Sequence, residues 1–227
     1  MPKPYEIYDL LQDYAASVDT VREVMIGLVW TYCEADACGL AMSPGIPTRT
    51  LPWAGSLYGR PVAELAAWVR EFEPYQATVG MAAVNAAINH RHSLPEGLNL
   101  APGTQGNLAV FTHFLPLIKT KKIVVVGRYP GLAEFVQTHE LDLTVLERHP
   151  SQGDLSDAAC EYLLPEAEWV FLTASSIPNK TFPRLAELSR DAVTVLMALK
   201  LQTGIYSGRQ SPKGEGCACS TRPSSIG

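Results

Sequence analysis

The N-terminal half of the chain alternates short apolar segments with turn-forming ones. Apolar residues spaced by three and four positions between Tyr5 and Ala15 predict a first helix over Pro4–Ser17. Two further apolar segments, Val21–Tyr32 and Gly39–Ser43, predict a pair of strands. A helix followed by two paired strands is therefore expected at the start of the protein.

Prolines and glycines crowd the stretch between residues 44 and 61. Both residue types interrupt regular backbone structure, so this stretch is predicted to be a long irregular loop. Beyond it, apolar spacing predicts one helix that begins at Pro61 and a second over Gln76–Asn89. Strands followed by two helices indicate an α+β module.

The C-terminal half contains short apolar runs that alternate with segments of helical spacing. Four such runs are predicted strands: Ile123–Gly127, Leu143–Glu147, Trp169–Thr173 and Val193–Met197. The first is continuously apolar and β-branched, as in a parallel strand that is covered on both faces. Helices are predicted before and between them, at Asn107–Ile118, Gly131–Thr138, Leu155–Leu164 and Phe182–Arg190. This alternation predicts an α/β fold with a doubly wound parallel sheet.

The change of pattern near residue 107 predicts two domains, 1–106 and 107–198. Residues 199–227 are rich in glycine and serine and carry a net positive charge, whereas the preceding residues are acidic. We therefore expect a flexible or atypical tail. A further helix and strand would be expected to cover the last strand, so the second domain is predicted to be truncated at its C-terminus.

The composition is that of a globular protein, with 47% hydrophobic and 18% charged residues among 227. The formal net charge of −5 disfavours nonspecific binding to nucleic acid or anionic lipid. No apolar run approaches the roughly 20 residues that span a bilayer, and the N-terminus lacks a secretory pattern. Five scattered cysteines are typical of proteins whose thiols stay reduced. A cytoplasmic protein with no membrane or nucleic-acid partner is expected.

In an open parallel sheet, ligands bind beyond the carboxyl ends of the strands. The turn Gly127–Gly131 places two glycines between a predicted strand and helix, and Glu147 follows Gly127 by 20 residues. At that distance a carboxylate often accepts hydrogen bonds from a ribose, which is compatible with a nucleotide or S-adenosyl-type ligand. Glu147 is equally consistent with a solvated strand end. Arg128 is expected to pair either with an anionic ligand group or with Glu147.

Three other groups of polar residues are candidates for ligand binding. The loop Pro150–Asp154 ends in an Asp that is also placed to cap the next helix. The loop Thr173–Thr181 is dense in hydroxyls, and its Asn179 or Thr181 can instead cap the following helix. The amides of Asn85 and Asn89 share one helix face, where they can fix a ligand or cross-link the loop over residues 44–59.

Several motifs in combination resemble one known family. They are Trp68-Val, the helix Gly80–Asn89, the turn Val126–Pro130, the loop Pro150–Asp154, Leu163–Pro165 and the loop Thr173–Thr181. From about residue 5 to 197 the chain is similar to the uncharacterised family described as putative heavy-metal chelation. The resemblance implies a small α+β enolase-N-terminal-like domain, a Rossmann-like parallel-sheet domain and a ligand cleft between them.

The resemblance also implies which residues line that cleft. They are Asn85, Asn89, Gly127, Arg128, Tyr129, Pro130, Gly153, Asp154, Thr173, Ser175, Ser176, Asn179 and Thr181, to which Glu147 is added by its strand-end position. Relatives usually carry a small residue or His where Arg128 stands, which leaves the charge of the ligand open.

The sequence offers only weak evidence for direct metal ligands or a nucleophile. His90-x-His92 with Glu96 supplies metal-ligating side chains, but a surface loop is the favoured interpretation. Cys33 and Cys38, with Glu34 and Asp36 between them, can bind a soft ion or simply be buried thiols. His113 and His149 are the acid–base candidates. No catalytic or metal-binding residue is assigned from the sequence.

The sequence thus predicts a cytoplasmic protein that binds a metal-chelating or metal-containing small molecule in an interdomain cleft, with or without turnover. An enzyme that uses a nucleotide or S-adenosylmethionine-like cofactor is the first alternative, and a non-catalytic scaffold is the second. The bound group is expected to be a metal chelate or a nucleotide-like ligand. The expected partner is this small molecule, and a homo-oligomer is left open.

Overall fold

A computed structural model describes residues 4–16, 19–90 and 108–197 of the chain. They divide into two units, which we call the antiparallel unit and the parallel unit after their sheets. The antiparallel unit holds residues 4–16, 19–90 and 178–180, and the parallel unit holds 108–177 and 181–197. The predicted boundary after residue 106 stays a prediction, because residues 91–107 and the tail 199–227 lie outside the described residues.

Both units combine helices with strands, so the predicted α/β class is confirmed. The elements of the antiparallel unit are α1 (Glu6–Tyr14), β1 (Glu23–Ile26), β2 (Trp30–Glu34), β3 (Cys38–Met42), α2 (Val62–Ala67) and α3 (Pro74–His90). In its described residues the sheet is antiparallel, in the order β1-β2-β3. Between β3 and α2 the chain forms no helix or strand within the described residues, as the prolines and glycines predicted.

The single strand predicted over Val21–Tyr32 is wrong, because this segment folds back on itself. The N–H of Gly27 donates to the carbonyl of Trp30 at 2.9 Å and begins the turn between β1 and β2. A Cβ at position 27 would lie 2.9 Å from that same oxygen, so glycine allows the close approach. Apolar composition fitted both strands and did not reveal the turn.

Helix α3 packs directly against β3, and small residues make this possible. A Cβ on Gly39 would lie 2.0 Å from the carbonyl oxygen of Ala82 and 2.3 Å from the amide nitrogen of Ala86. Strand and helix backbones therefore meet where Gly39 has no side chain. Two amides of α3 then reach the strand, since Asn85 donates to the carbonyl of Leu40 at 2.7 Å and Asn89 to that of Cys38 at 2.8 Å.

The parallel unit follows the predicted alternation of strands and helices. Its elements are α4 (Ala109–Ile118), β4 (Ile123–Val126), α5 (Leu132–His139), β5 (Leu143–Glu147), β6 (Leu155–Ser156), α6 (Cys160–Leu163), β7 (Trp169–Thr173), α7 (Phe182–Leu188) and β8 (Val193–Met197). Within the described residues the sheet has five strands in the order β6-β5-β4-β7-β8, and every pairing is parallel.

One predicted helix of this unit begins later than expected. Leu155 and Ser156 extend the sheet as β6, which pairs with the end of β5. The hydroxyl of Ser156 then accepts the N–H of Ala158 at 3.4 Å and caps a 3₁₀ turn that leads into α6. Asp154 is therefore not the helix cap, and that prediction is wrong.

The core of the parallel unit covers both faces of the sheet. Ile123 and Val125 pack with Phe111 and Phe171 on one face. The alternate residues of β4 pack on the other face with Val170, Leu172, Leu164 and Leu185. Burial of successive residues on opposite faces explains why β4 is continuously apolar. Among the described helices, none has the length and apolar character needed to cross a membrane.

Candidate functional site

The strand order of the parallel unit identifies where a ligand would bind. The chain runs outward from β4 to β5 and β6, and then returns to add β7 on the other side of β4. The direction of winding therefore changes between β4 and β7, which is the point where open α/β sheets bind ligands. The loops that follow these two strands are those singled out in the sequence, at Gly127–Gly131 and from Thr173 onward.

Gly127 lets the loop after β4 approach the end of β7. Its φ of +108° lies in a region that favours glycine, and a Cβ there would lie 3.0 Å from the Cβ and Cγ2 atoms of Thr173. Its N–H donates to the carbonyl of Leu146 at 2.9 Å, which ties this loop to β5 as well. Gly131, also at positive φ, immediately precedes α5.

Tyr129 is the aromatic residue of this loop and is partly buried. Its ring lies edge-on to Phe111, with the centroids 5.8 Å apart. Burial raises the pKa of Tyr129 to about 12, a side-chain hydrogen bond with Thr173 opposes this shift, and the Glu147 carboxylate adds to it. The phenol is therefore neutral near pH 7, while the neighbouring Pro130 is exposed.

Arg128 pairs with Asp154 and thereby links the loops that follow β4 and β5. The Arg128 guanidinium donates to the Asp154 carboxylate, whose side chain is only 10% exposed. The N–H of Ser151 donates to the same carboxylate at 3.0 Å, in a turn that contains Gly153 at a φ of +92°. A partly exposed guanidinium therefore lies at the carboxyl end of the sheet, where it can contact an anion.

Glu147 does not pair with Arg128, the partner that was considered for it from the sequence. Its carboxylate accepts the N–H of the next residue, Arg148, at 2.8 Å. Arg128 thus pairs with Asp154, and the expected pairing of Arg128 with Glu147 is wrong.

The loop after β7 supplies a group of hydroxyls. The Oγ1 of Thr173 lies 3.0 Å from the Oγ of Ser175, and both residues are partly exposed. Ser176 is buried and donates to the carbonyl of Thr173 at 2.6 Å, so it shapes the loop. Thr181 donates to the carbonyl of Ser176 at 3.4 Å, and its side chain does not cap α7. Asn179 is exposed and lies among residues 178–180 of the antiparallel unit.

Asn85 and Asn89 hold the antiparallel unit together. Both amide groups donate to carbonyls of β3. The alternative, in which these amide groups cross-link the loop over residues 44–59, is therefore wrong, because their N–H groups bind β3 instead. Whether either residue also contacts a ligand stays a prediction.

A second candidate centre, in the antiparallel unit, was not predicted as a group. Asp19, Asp36 and His90 each offer a ligand atom, and these atoms all lie within 4.8 Å of one another. In the sequence, Asp36 and His90 belong to two separate candidate motifs, and Asp19 belongs to neither. No spacing rule relates three residues that come from a loop, a strand turn and a helix end. His92 and Glu96 lie outside the described residues.

The other cysteine and histidine side chains of the described residues do not form a catalytic group. Cys33 and Cys160 are free, buried thiols, and burial raises their pKa values to about 12 and about 11. Such thiols are poor nucleophiles near neutral pH. His113 and His149 are both exposed.

Comparison with known proteins identifies the family. Two family models match the chain, DUF4213 over residues 8–88 and DUF364 over residues 109–198, and both are described as putative heavy-metal chelation. Among curated proteins, none matches this chain.

Two solved structures are similar to this chain. One is a protein of unknown function from the DUF364 family of Desulfitobacterium hafniense, with 28% identity, a TM-score of 0.71 and coverage of 86% of this chain and 77% of that chain. The other, from the same family in Pyrococcus horikoshii, has 20% identity, a TM-score of 0.64 and coverage of 85% and 77%, and it supports the fold alone. As the sequence motifs predicted, the chain belongs to the family described as putative heavy-metal chelation.

Proposed function

We propose that this protein binds a metal-chelating or metal-containing small molecule at the carboxyl end of the parallel sheet. The observation that carries the proposal is the Arg128–Asp154 pair, which lies in the loops after β4 and β5 next to the point where the winding reverses. Support also comes from the family description, which concerns metal chelation.

The side chains at this end of the sheet suit an oxygen-rich anionic ligand. A guanidinium carries five N–H donors, and Arg128 uses its Nη2 nitrogen to contact Asp154. Chelators commonly bind metal ions through carboxylate oxygens, and a guanidinium recognises such groups by paired hydrogen bonds. The hydroxyls of Tyr129, Thr173 and Ser175 add neutral donors and acceptors.

The test is binding of a defined chelate to the full chain. Nickel citrate and zinc citrate are titrated by calorimetry into the wild type, the Arg128→Gln variant and the Arg148→Gln variant. We expect one site in the wild type and in the control Arg148→Gln, because Arg148 is exposed and pairs only loosely with Asp157 at 3.6 Å. We expect binding at least about tenfold weaker in Arg128→Gln, as for other charge-assisted contacts. Equal affinities in all three proteins, or no binding to the wild type, would contradict the proposal.

A second candidate function is an enzyme that uses a nucleotide or S-adenosyl-type cofactor. Gly127, at positive φ, begins the connection from β4 to α5, and Glu147 ends the neighbouring strand β5. In dinucleotide-binding folds such an acid accepts hydrogen bonds from a ribose. Calorimetry with S-adenosylmethionine, NAD and ATP tests it. Binding that is lost in Glu147→Gln supports this candidate, and the absence of heat with all three compounds excludes it.

A further inference from the structure

We infer that Asp19, Asp36 and His90 bind a divalent transition-metal ion of the Zn²⁺, Co²⁺ or Ni²⁺ type within the antiparallel unit. Their ligand atoms lie within 4.8 Å of one another. Two atoms bound to one zinc ion at about 2.1 Å are separated by at most about 4.2 Å. Small side-chain rotations therefore bring all three atoms into one coordination sphere.

The backbone holds the two aspartates in defined places. The carbonyl of Asp19 accepts the N–H of Val62 at 2.9 Å, and the next residue forms a bridge with Pro61. Asp36 lies in the turn between β2 and β3, flanked by two alanines that are each 3% exposed. These contacts hold the backbone at Asp36 and from Asp19 onward, so rotation of the two carboxylate side chains is enough to bring them to an ion.

The end of α3 is held beside this turn. His90 is the last residue of the helix, and the preceding residue, Asn89, donates to the carbonyl of Cys38 at 2.8 Å. Cys38 begins β3 directly after the turn that carries Asp36. This hydrogen bond therefore makes Asn89 a positioning residue for the imidazole.

The donor set determines the class of metal. Imidazole nitrogen suits zinc, nickel and cobalt, whereas a site made only of oxygens suits magnesium or calcium. One imidazole and two carboxylates thus favour a borderline transition metal over both Mg²⁺ and soft ions that prefer thiolates. Three protein donors also leave coordination positions open for water or for a second chelating molecule.

Arg22 competes with the metal for Asp36. Its guanidinium donates to the Asp36 carboxylate, and the two side chains are 57% and 42% exposed. An exposed ion pair of this kind contributes about 1 kcal/mol or less, so a divalent ion can displace it. Removal of Arg22 is therefore expected to strengthen metal binding, by up to about fivefold.

The experiment titrates the metal-free full chain with ZnCl₂, CoCl₂ and MgCl₂ by calorimetry and follows Co²⁺ by its absorption bands. The variants are Asp36→Asn, His90→Gln and Arg22→Gln, with Asp13→Asn and His113→Gln as matched controls because both residues are exposed outside the cluster. We expect one Zn²⁺ or Co²⁺ site in the wild type and in both controls. Asp36→Asn and His90→Gln should lower its affinity at least about tenfold. Arg22→Gln should raise the affinity. Mg²⁺ should give no comparable heat.

The inference is overturned if Asp36→Asn and His90→Gln bind Zn²⁺ as tightly as the controls, or if the wild type has no Zn²⁺ or Co²⁺ site. Circular dichroism of each variant confirms that it is folded. Arg22→Gln gives an independent test, because it should raise the affinity for the metal ion whereas the other two variants lower it. This site does not rest on the function proposed for the parallel unit. Arg128→Gln should keep the free-ion site, and His90→Gln should keep citrate binding, so the failure of one proposal is distinguishable from failure of the other.

Discussion

The guanidinium of Arg128 donates to the carboxylate of Asp154, and this contact ties the loop after β4 to the loop after β5. The Asp154 side chain is 10% exposed whereas that of Arg128 is 44% exposed. The carboxylate is therefore the partner that depends on the contact, because it is largely removed from water. The arginine keeps part of its surface for a ligand.

Arg128→Gln is expected to lower the free energy of unfolding by about 1–2 kcal/mol, because it leaves a mostly buried carboxylate without its cation. Urea denaturation of the full chain measures this difference. The control is Arg190→Gln, which removes an exposed pair with Asp191 and should change stability by less than about 0.5 kcal/mol. Equal effects in the two variants would show that the Arg128–Asp154 pair has no special role.

Gly39→Ala is expected to destabilise the antiparallel unit by about 3 kcal/mol or more, because a Cβ would lie 2.0 Å from the carbonyl oxygen of Ala82. The helix cannot retreat without losing its contacts with β3. Gly45→Ala is the control, since its Cβ meets nothing within 4 Å and only the φ of +67° opposes it, at a cost of about 1 kcal/mol. Thermal and urea denaturation should rank the variants in this order, and the reverse order would contradict the close packing of α3 on β3.

Asn89→Ala is expected to weaken Co²⁺ binding while the unit stays folded. The variant loses the hydrogen bond to the carbonyl of Cys38, which is 2.8 Å long and holds the end of α3 that carries His90. The loss of stability should be about 1 kcal/mol. Asn85→Ala is the matched control, because it removes the equivalent bond to Leu40 one helical turn away from His90. If both variants bind Co²⁺ equally well, Asn89 has no positioning role.

Stability is expected to fall as the pH rises above about 9, because buried thiols resist ionisation in the folded state. Burial raises the pKa of Cys33 from 9.0 to about 12 and that of Cys160 from 9.0 to about 11. A group whose pKa is raised on folding binds more protons in the folded state, so its contribution is complete below pH 9 and is lost as the pH rises toward the folded value. Urea denaturation at pH 7, 9 and 10.5 measures how steeply the free energy of unfolding falls with pH, and Cys33→Ala should reduce this slope. An unchanged slope in this variant would contradict the assignment.

Lys180 is expected to make the folded state more stable as the pH rises from 8 to 10.5, which is opposite to the effect of the buried thiols. Its Nζ donates to the carbonyl of Val69 at 2.7 Å and lies 5.0 Å from the ring centroid of Tyr8. Desolvation lowers the pKa of Lys180 from 10.5 to about 8, against a smaller opposing effect of Glu71. The unfolded chain then binds more protons in this interval, so the contribution of Lys180 to stability increases with pH.

The measurement compares the wild type with Lys180→Met at several pH values. The stability of the wild type relative to this variant should increase from pH 8 to 10.5. Lys121→Met, which removes an exposed partner of Glu168, should show no such trend. A relative stability that falls over the same interval would contradict the lowered pKa.

The sequence by itself determined the strands of the parallel sheet. Leu143–Glu147, Trp169–Thr173 and Val193–Met197 have the predicted bounds, because each is a short run rich in β-branched and other apolar residues between segments of helical spacing. The loops that follow β4 and β7 were also predictable, since they come directly after such strands. The hairpin at Gly27 was not predictable, because both of its strands are apolar and the turn depends on one close backbone contact with Trp30.

The tertiary structure alone decided which polar side chains meet. Asp154 has the residue type and the position of a helix cap, yet its carboxylate binds Arg128, which lies 26 residues away in the chain. The Asp19, Asp36 and His90 cluster depends on the packing of α3 against β3, where Gly39 lets two backbones approach. Local patterns determine elements because helices and strands have fixed periods. Contacts between distant loops have no period, so the sequence identified strand ends as places to bind a ligand and the fold determined the partners within them.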